Sequence, residues 1–578
     1  MRWLKIWLCL FFIGASIAIV GYHDVLSFYP LWPVTGGVLC LSILVFALKA
    51  GPEFDTKQII FSLVLVALFY RVGMFLLSPS LIGVDTIKHA VQIQWVVESG
   101  TSDVLTDFFY RNAAAFQVYS AEVAILTGLR ADHTLVVWPL LVGLFVPLMV
   151  AGIARGFSVP GDRRVVVAVA GSLSIAGTST IWFGVAPVAQ LIGLPLLLVA
   201  VYATIQYLKM GRLAHLIVLL AIFPVLLFAH KLPILVIVTW FLGLAASTHS
   251  LRLDSFVRDM SRRLMAISVT VLVIQWAYLT EFLRPAVLNG VSAITTLVTR
   301  TGAFGGGAPT SSHAVLVSSS MVAAILDKIN LIILPVGFLA AVILTIYCLR
   351  YRNPGLVALL SVLAPMSVLV ALGTFGSLTG GSMRYLLFDE SLLAITIAVA
   401  IAISHHYLRS RNQRTTAAVR QVAVIVVILV VIAQFGAANA APDHTDTPRL
   451  YLSSQEIASK HFETEHVPGT VYSDRYYATF VVDPTVPVRR GDAAARSLAD
   501  PGELTDALRN ATIVEEQYPY VTVRESVEIH RLDGGRWYRL TWNQETVLSA
   551  TYNRVYDNGA VSSYDYSTSR SPNSKSAV

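Results

Sequence analysis

The stretch Gly83–Gly100, GVDTIKHAVQIQWVVESG, holds the residues best suited to acid–base chemistry. Asp85, Lys88, His89 and Gln92 recur at i, i+3, i+4 and i+7, which places them on one face of a helix. Ile87, Ala90, Val91 and Val97 fall largely on the other face, with Val96 and Gln94 out of place. The stretch follows the apolar run Ile59–Leu77, and an amphipathic helix after such a run lies at a membrane interface with its polar face in water. Asp85 falls in the first turn, where unpaired N–H groups and the helix dipole favour an anion. Two roles stay open for it on the residues alone: a cap for the helix, or a base that takes a proton from a hydroxyl.

Other polar groups gather near the ends of apolar runs on the same side. They are Arg71, His230, Lys231, Glu281, Arg284, Asp327, Lys328, Arg384, Asp389 and Glu390. Charge at such depth is costly and is usually paired or functional. Each residue alone reads equally well as a snorkelling side chain or a structural ion pair. Glu281 with Arg284 and Arg384 with Asp389 are close enough in sequence to pair. Taken together, a basic cluster of Arg384, Lys231 and Arg71 near an external acid suits an anionic lipid headgroup whose acceptor must be deprotonated. The chain has no P-loop, no GxGxxG after a strand, no HExxH and no CxxC, which argues against ATP-driven transport and zinc chemistry.

Composition dictates a membrane scaffold for these groups. With 55% hydrophobic residues, 13% charged residues and a mean hydropathy of +0.67, the chain is not an ordinary soluble protein. The net charge of +7 hides two parts. Residues 1–440 carry 28 Lys and Arg against 16 Asp and Glu, whereas residues 441–578 carry 14 against 19. A basic membrane part and a mildly acidic tail follow from topology, so no nucleic-acid partner is required. The three cysteines, Cys9, Cys40 and Cys348, lie in apolar runs, and the tail must fold without disulfides.

Thirteen apolar runs, from Trp3–Val20 to Val422–Ala438, approach the ~20 residues of a membrane span. Trp3–Val20 is read as a retained helix, because no clean cleavage site follows it. The runs meeting around Gly184, and those meeting around His230-Lys231, have almost no loop between them and read equally as tilted or re-entrant hairpins. With the N-terminus inside, Lys and Arg collect on the inner connections through all thirteen crossings. That puts the tail outside, along with the long loop 78–133. The organisation expected is a hairpin at 1–58, a helical core at 59–440, a small α+β domain at 441–565 and a disordered tail at 566–578. A Gly/Ser/Thr-rich run makes 284–327 a mobile outer loop. In the tail, Ser453 and Glu456 form a capping box for a helix to about Glu465, and strands are expected at Gly469–Ser473, Thr512–Glu515 and Trp537–Thr541.

At this point the pattern resembles the GT-C membrane glycosyltransferases, which use polyprenyl- or dolichyl-phosphate-linked sugars. Their first large outer loop carries an acid soon after a core helix, often as Gly-x-Asp with His four residues on, and Gly83-Val84-Asp85 with His89 matches. DFFYRNAAAFQVYSAEVAILTGL (Asp107–Leu129) is similar to the aromatic-rich descent that follows, and GGSMRYLLF (Gly380–Phe388) to the helix entrance where an Arg grips the lipid phosphate. YLSSQEIASKHF and GTVYSDRYY are similar to the openings of archaeal and bacterial external domains. The Trp-Trp-Asp motif of the oligosaccharyltransferase branch is absent, and no second acidic metal motif is found. Neither en-bloc glycan transfer nor an obligatory metal is therefore implied, and a divalent ion is left open. The two helices within Trp3–Leu48 are additional to the family core.

The resemblance implies an inverting transfer of a sugar from a polyprenyl-phosphate-linked donor to a protein or lipid-linked glycan acceptor outside the cell membrane. Asp85 would be the base, with His89 assisting it or binding phosphate. Arg384 and Lys231, with His230 and Arg71, would hold the donor phosphate, and the glycine-rich loop would close as a lid. Other readings remain: a lipid-linked glycan flippase, polymerase or transporter, or a non-catalytic assembly protein. Transporters place polar residues at the bilayer midplane, whereas here the middles of the runs are nearly free of charge.

Overall fold

In the computed structural model of the chain, residues 2–22, 31–78, 80–157, 162–288, 291, 314–316, 329–375, 381–409, 413–438, 451–467, 471–479, 498, 500–515, 519–525, 527, 529–531 and 537–566 are described. Contacts divide the chain into two compact units. One comprises Met1–Phe75, Val96–Gly302 and Ala323–Ala440; the other comprises Leu76–Trp95, Ala303–Val322 and Ala441–Val578.

The first unit is helical because hydrocarbon offers backbone N–H and C=O groups no partners outside the helix itself. Its apolar helices are α1 (Arg2–Tyr22), α2 (Leu31–Lys49) and α3 (Thr56–Leu77). After the outer-loop helices α4 (Val84–Ser99), α5 (Phe108–Asn112), α6 (Ala115–Thr127) and α7 (Ala131–Thr134) come α8 (Val137–Gly156), α9 (Arg163–Ala176), α10 (Thr178–Val185) and α11 (Gly193–Met210). Then follow α12 (Leu213–Phe228), α13 (Lys231–Ser250), α14 (Ser255–Val273), α15 (Ile333–Tyr351), α16 (Pro354–Phe375), α17 (Gly381–Arg409) and α18 (Gln413–Ala438). Among the described residues, eight helices are long and apolar enough to cross a membrane, and the bent pair α9–α10 makes a ninth. Shorter apolar helices cover Val34–Lys49, Leu213–Phe228, Pro354–Val370 and Gln421–Phe435, so helix occupies each of the thirteen runs. The chain is a polytopic helical membrane protein. Its central helix is α17, 94% of whose apolar window is buried against neighbours that include α9, α15, α16 and α18.

The junction expected around Gly184 falls where α10 ends at Val185, and a further break lies at Gly177, where α9 and α10 meet at 55°. A β-carbon on Gly177 would come within 2.5 Å of the Glu390 carboxylate, so only glycine admits that close an approach. Glu390, buried in α17, accepts from the backbone N–H of Ser179 (2.9 Å) and Thr180 (3.0 Å) and from the Thr180 hydroxyl (3.1 Å). Gln434 of α18 accepts from the Thr178 N–H at 2.9 Å. Two side chains from other helices thereby cap the exposed N-terminus of α10 inside the bundle.

The second unit is α+β. Strand β3 (Tyr520–Arg524) lies between β2 (Val471–Tyr472), to which it runs parallel, and β7 (Val561–Asp565), to which it runs antiparallel; β6 (Asn553–Asp557) pairs with β7 at the edge. A second sheet has the order β1 (Ala314–Leu316), β5 (Trp537–Leu540), β4 (Ile529–Arg531). Helix α19 (Ser454–His466) opens with the capping box of Ser453 and Glu456. The short α20 (Arg475–Thr479) follows β2. The strand expected at Thr512–Glu515 is instead the last turn of helix α21 (Pro501–Glu515). Asp500 caps that helix through the N–H of Gly502 at 2.8 Å, and Leu504 and Leu508, four apart, bury in the core. This amphipathic period outweighs the strand preference of Thr512-Ile513-Val514. Helix α22 (Gln544–Thr551) completes the unit.

Within the loop expected to be mobile, β1 is paired antiparallel to β5, with Val315 opposite Arg539. The glycine-rich run of that loop, Asp327 and Lys328, Gly469 and Thr470 of the expected strand, and the serine-rich tail from 567 lie outside the described residues.

Candidate active site

Two cations of the first unit stand in the first turn of a helix, where the dipole disfavours positive charge: Lys231 opens α13, and Arg384 follows the start of α17. They feel one another's charge, and Lys231 also feels that of Asp107. The turn that presents Lys231 is only two residues long, Ala229 and His230, and it leaves the last carbonyls of α12 without helical partners. Gln275, in the π-helical turn Ile274–Leu279, donates to the carbonyls of Leu226 (2.7 Å) and Ala229 (2.8 Å), with Leu227 at 3.2 Å. Gly193, whose β-carbon would overlap the Pro233 ring, lets α11 close against the first turn of α13. His230 is buried and caps α13, its Nδ1 accepting from the Leu232 N–H at 3.3 Å. The Lys231 ammonium lies 4.0 Å from the centre of the Phe282 ring and 5.1 Å from that of Phe109. This aromatic box holds a cation without neutralising it.

Gln275→Leu keeps the bulk of the side chain and removes the donor. Carbonyls stranded in hydrocarbon cost about 1–3 kcal/mol each. We expect a lower melting temperature in detergent. An unchanged melting temperature would contradict this account of the turn.

Arg71 is placed elsewhere. It is fully buried in α3, donates to the carbonyls of Ala67 and Ile175 (both 3.4 Å), and feels the charge of Glu390. Its guanidinium thus meets the C-terminal end of α9 while the Glu390 carboxylate meets the N-terminal end of α10, each matched to the local dipole. Arg71 lies against the broken span, with its guanidinium turned to the end of α9. The pairing considered between Arg384 and Asp389 is not formed: Asp389 is buried, and its carboxylate has no hydrogen-bond partner among the described residues.

Asp85 and His89 belong to the second unit. The helix forms where expected, α4 spanning Val84–Ser99, with Asp85 exposed in its first turn. The polar face does not all meet water, however. His89 and Gln92 are 3% and 2% exposed and bond to each other, His89 Nδ1 to Gln92 Oε1, at 3.0 Å. On the opposite face Ile87 enters a core with Leu452, Tyr476, Tyr477, Ala560 and Val561, and the Leu452 N–H donates to Ser80 Oγ at 2.8 Å. The tail therefore holds the helix that presents Asp85.

Sequence reasoning did not single out Asp107, Phe109, Phe282 or Gln275. Asp107 and Phe109 fall in the aromatic-rich segment already noted, so composition flagged the neighbourhood without the residues. Gln275, an amide inside an apolar run, is the one the depth argument should have caught. No group of three or more His, Cys, Asp or Glu able to hold a metal occurs among the described residues. No chemical step is assigned to a metal.

No family model matches the sequence, and no curated protein matches it. Solved structures do match its fold. The oligosaccharyltransferase of Archaeoglobus fulgidus, tethered by a disulfide to an acceptor peptide containing the NVT sequon, aligns with a TM-score of 0.50 at 11% identity over 89% of this chain and 74% of that one. The same archaeal enzyme, AglB, in complex with an inhibitory peptide and a dolichol-phosphate gives 0.49 at 12% over 81% and 69%. ArnT from Cupriavidus metallidurans, bound to undecaprenyl phosphate, gives 0.48 at 12% over 88% and 97%. At such identities the likeness concerns the fold alone, and that fold is the GT-C fold.

Proposed function

We propose that this GT-C-fold membrane protein transfers a sugar from a polyprenyl-phosphate-linked donor to a protein or lipid-linked glycan acceptor. The observation that supports the reading is that Lys231 and Arg384, each in the first turn of a helix, act on one another's charge within the first unit, where Asp107 also acts on Lys231. A phosphate, with several oxygens, suits two cations so placed. The archaeal oligosaccharyltransferase whose fold this chain shares was solved tethered to an acceptor peptide.

In this reading Asp85 takes the proton of the acceptor as its heteroatom attacks the anomeric carbon. The bond from that carbon to the phosphate oxygen breaks with inversion. The departing polyprenyl phosphate keeps the electron pair, and Lys231 and Arg384 stabilise its charge. His89 supports the base from within α4. A lipid-phosphate leaving group allows transfer on the outer membrane face, where the distribution of Lys and Arg places the loop and the tail.

Purified protein in liposomes, given a labelled polyprenyl-phosphate sugar, should release polyprenyl phosphate and label the acceptor. Lys231→Met and Arg384→Met should each lower kcat/KM for the donor by roughly tenfold to a hundredfold, the ~1.5–3 kcal/mol of one charge-assisted contact. Lipid scrambling without release of polyprenyl phosphate would replace this reading with that of a transporter.

A further inference from the structure

At the end of the first unit away from Arg384, a cavity of about 430 Å³ opens between α2, α9, α15, α17 and α18. Its walls are aliphatic, with Leu44, Val169, Ala340, Ile397, Ala402 and Val427 among them. Only Asp162, Ser404 and His405 bring polar groups, and all three lie at one end. Its volume is that of a ligand pocket, far above a packing defect. Water gains nothing from such walls, so within a bilayer hydrocarbon fills the space. Charge decides which hydrocarbon. At the polar end Lys49 closes α2, and Arg163 and Arg164 open α9. The one lining acid, Asp162, is already bound by Arg164. That leaves exposed Lys49 and Arg163 as an excess of positive charge where a headgroup would sit.

We propose that this cavity is a site for an anionic membrane phospholipid, with an acyl chain between the five helices and the headgroup phosphate against Lys49 and Arg163. Basic pockets between membrane helices select anionic headgroups in this way. The site is separate from the Lys231–Arg384 pair and does not depend on the sugar-transfer reading.

The test uses the full-length protein reconstituted in vesicles of equal phosphatidylglycerol and phosphatidylcholine, extracted gently and examined by native mass spectrometry. Wild type should retain one phosphatidylglycerol in clear preference to phosphatidylcholine. Lys49→Gln/Arg163→Gln, both exposed positions, should lower that preference about tenfold without loss of fold. Ala402→Phe, which fills the cavity, should lower retention of both lipids. Equal retention of the two lipids by wild type, or unchanged preference in the double variant, overturns the proposal. So does a polyprenyl chain retained in place of the phospholipid.

Discussion

Asp85→Asn should reduce sugar transfer by about 10²–10⁴-fold, the usual contribution of a positioned base, while the protein folds and inserts as before. The substitution separates the two roles that the sequence leaves open. Asp85 is the second residue of α4, so if it only complements the helix dipole it is worth about 0.3–1 kcal/mol and the exchange would be tolerated. Asparagine cannot take a proton, so a base would not tolerate it. Asp85 is exposed. His89 is a poorer probe, because it is buried and bonded to Gln92, and its replacement would disturb α4 together with any chemistry. Initial rates on saturating acceptor, with melting temperature as the control for folding, decide the matter. Activity within a few-fold of wild type would remove Asp85 from the mechanism.

The second large effect lies in the tail. Arg524→Met should destabilise the second unit by about 3–5 kcal/mol, the cost of breaking a buried ion pair, out of a stability of order 5–15 kcal/mol. Arg524 is 1% exposed; its Nε lies 2.8 Å from Glu456 and its Nη1 3.4 Å from Asp474, both carboxylates also buried. Burial alone would push the Asp474 carboxyl up. Arg524, His530 and the N–H of Tyr477 outweigh it and hold the carboxyl well below the usual carboxylate range. A carboxyl depressed in the folded state adds stability that is complete above its unfolded value of about 4 and is lost as pH falls toward its folded value. The wild-type tail should therefore weaken on acidification below about pH 4. In Arg524→Met the largest compensation for burial is lost, the carboxylates destabilise the fold at neutral pH, and acidification should relieve part of the loss. Hydrogen exchange at the β3 amides of the full-length protein, followed from pH 3 to 7, measures both slopes; parallel slopes would contradict the assignment. Tyr476 and Tyr477, beside Asp474, belong to the core that receives Ile87, so the variant should also lose transfer activity.

Much of this was legible in the sequence, because membrane physics writes in long, uniform runs. A stretch of apolar residues near span length becomes a helix whatever surrounds it, and helix occupies every one of the thirteen runs. Helix α4 and the capping box of Ser453 and Glu456 were equally readable, since caps and amphipathic periods are local. What the sequence hid is long-range. Gly177 breaks a span without proline because Glu390 and Gln434, more than 200 positions away, accept the freed N–H groups. Arg71 looked like a phosphate ligand by its depth and charge, yet its partner is the carbonyl of Ile175, 104 residues on. Thr512-Ile513-Val514 read as a strand until the packing of Leu504 and Leu508 made it the end of a helix. Burial of His89 and Gln92 was hidden for the same reason: a polar face on a helix says nothing of what covers it.

The central claim is tested most directly by comparing surface glycans, by mass spectrometry, in cells lacking this gene and complemented with wild type or with Asp85→Asn. Loss of one defined sugar in the deletion, restored by wild type and not by a stably expressed Asp85→Asn, is the predicted result. Restoration by Asp85→Asn, or an intact glycan profile in the deletion, would contradict it.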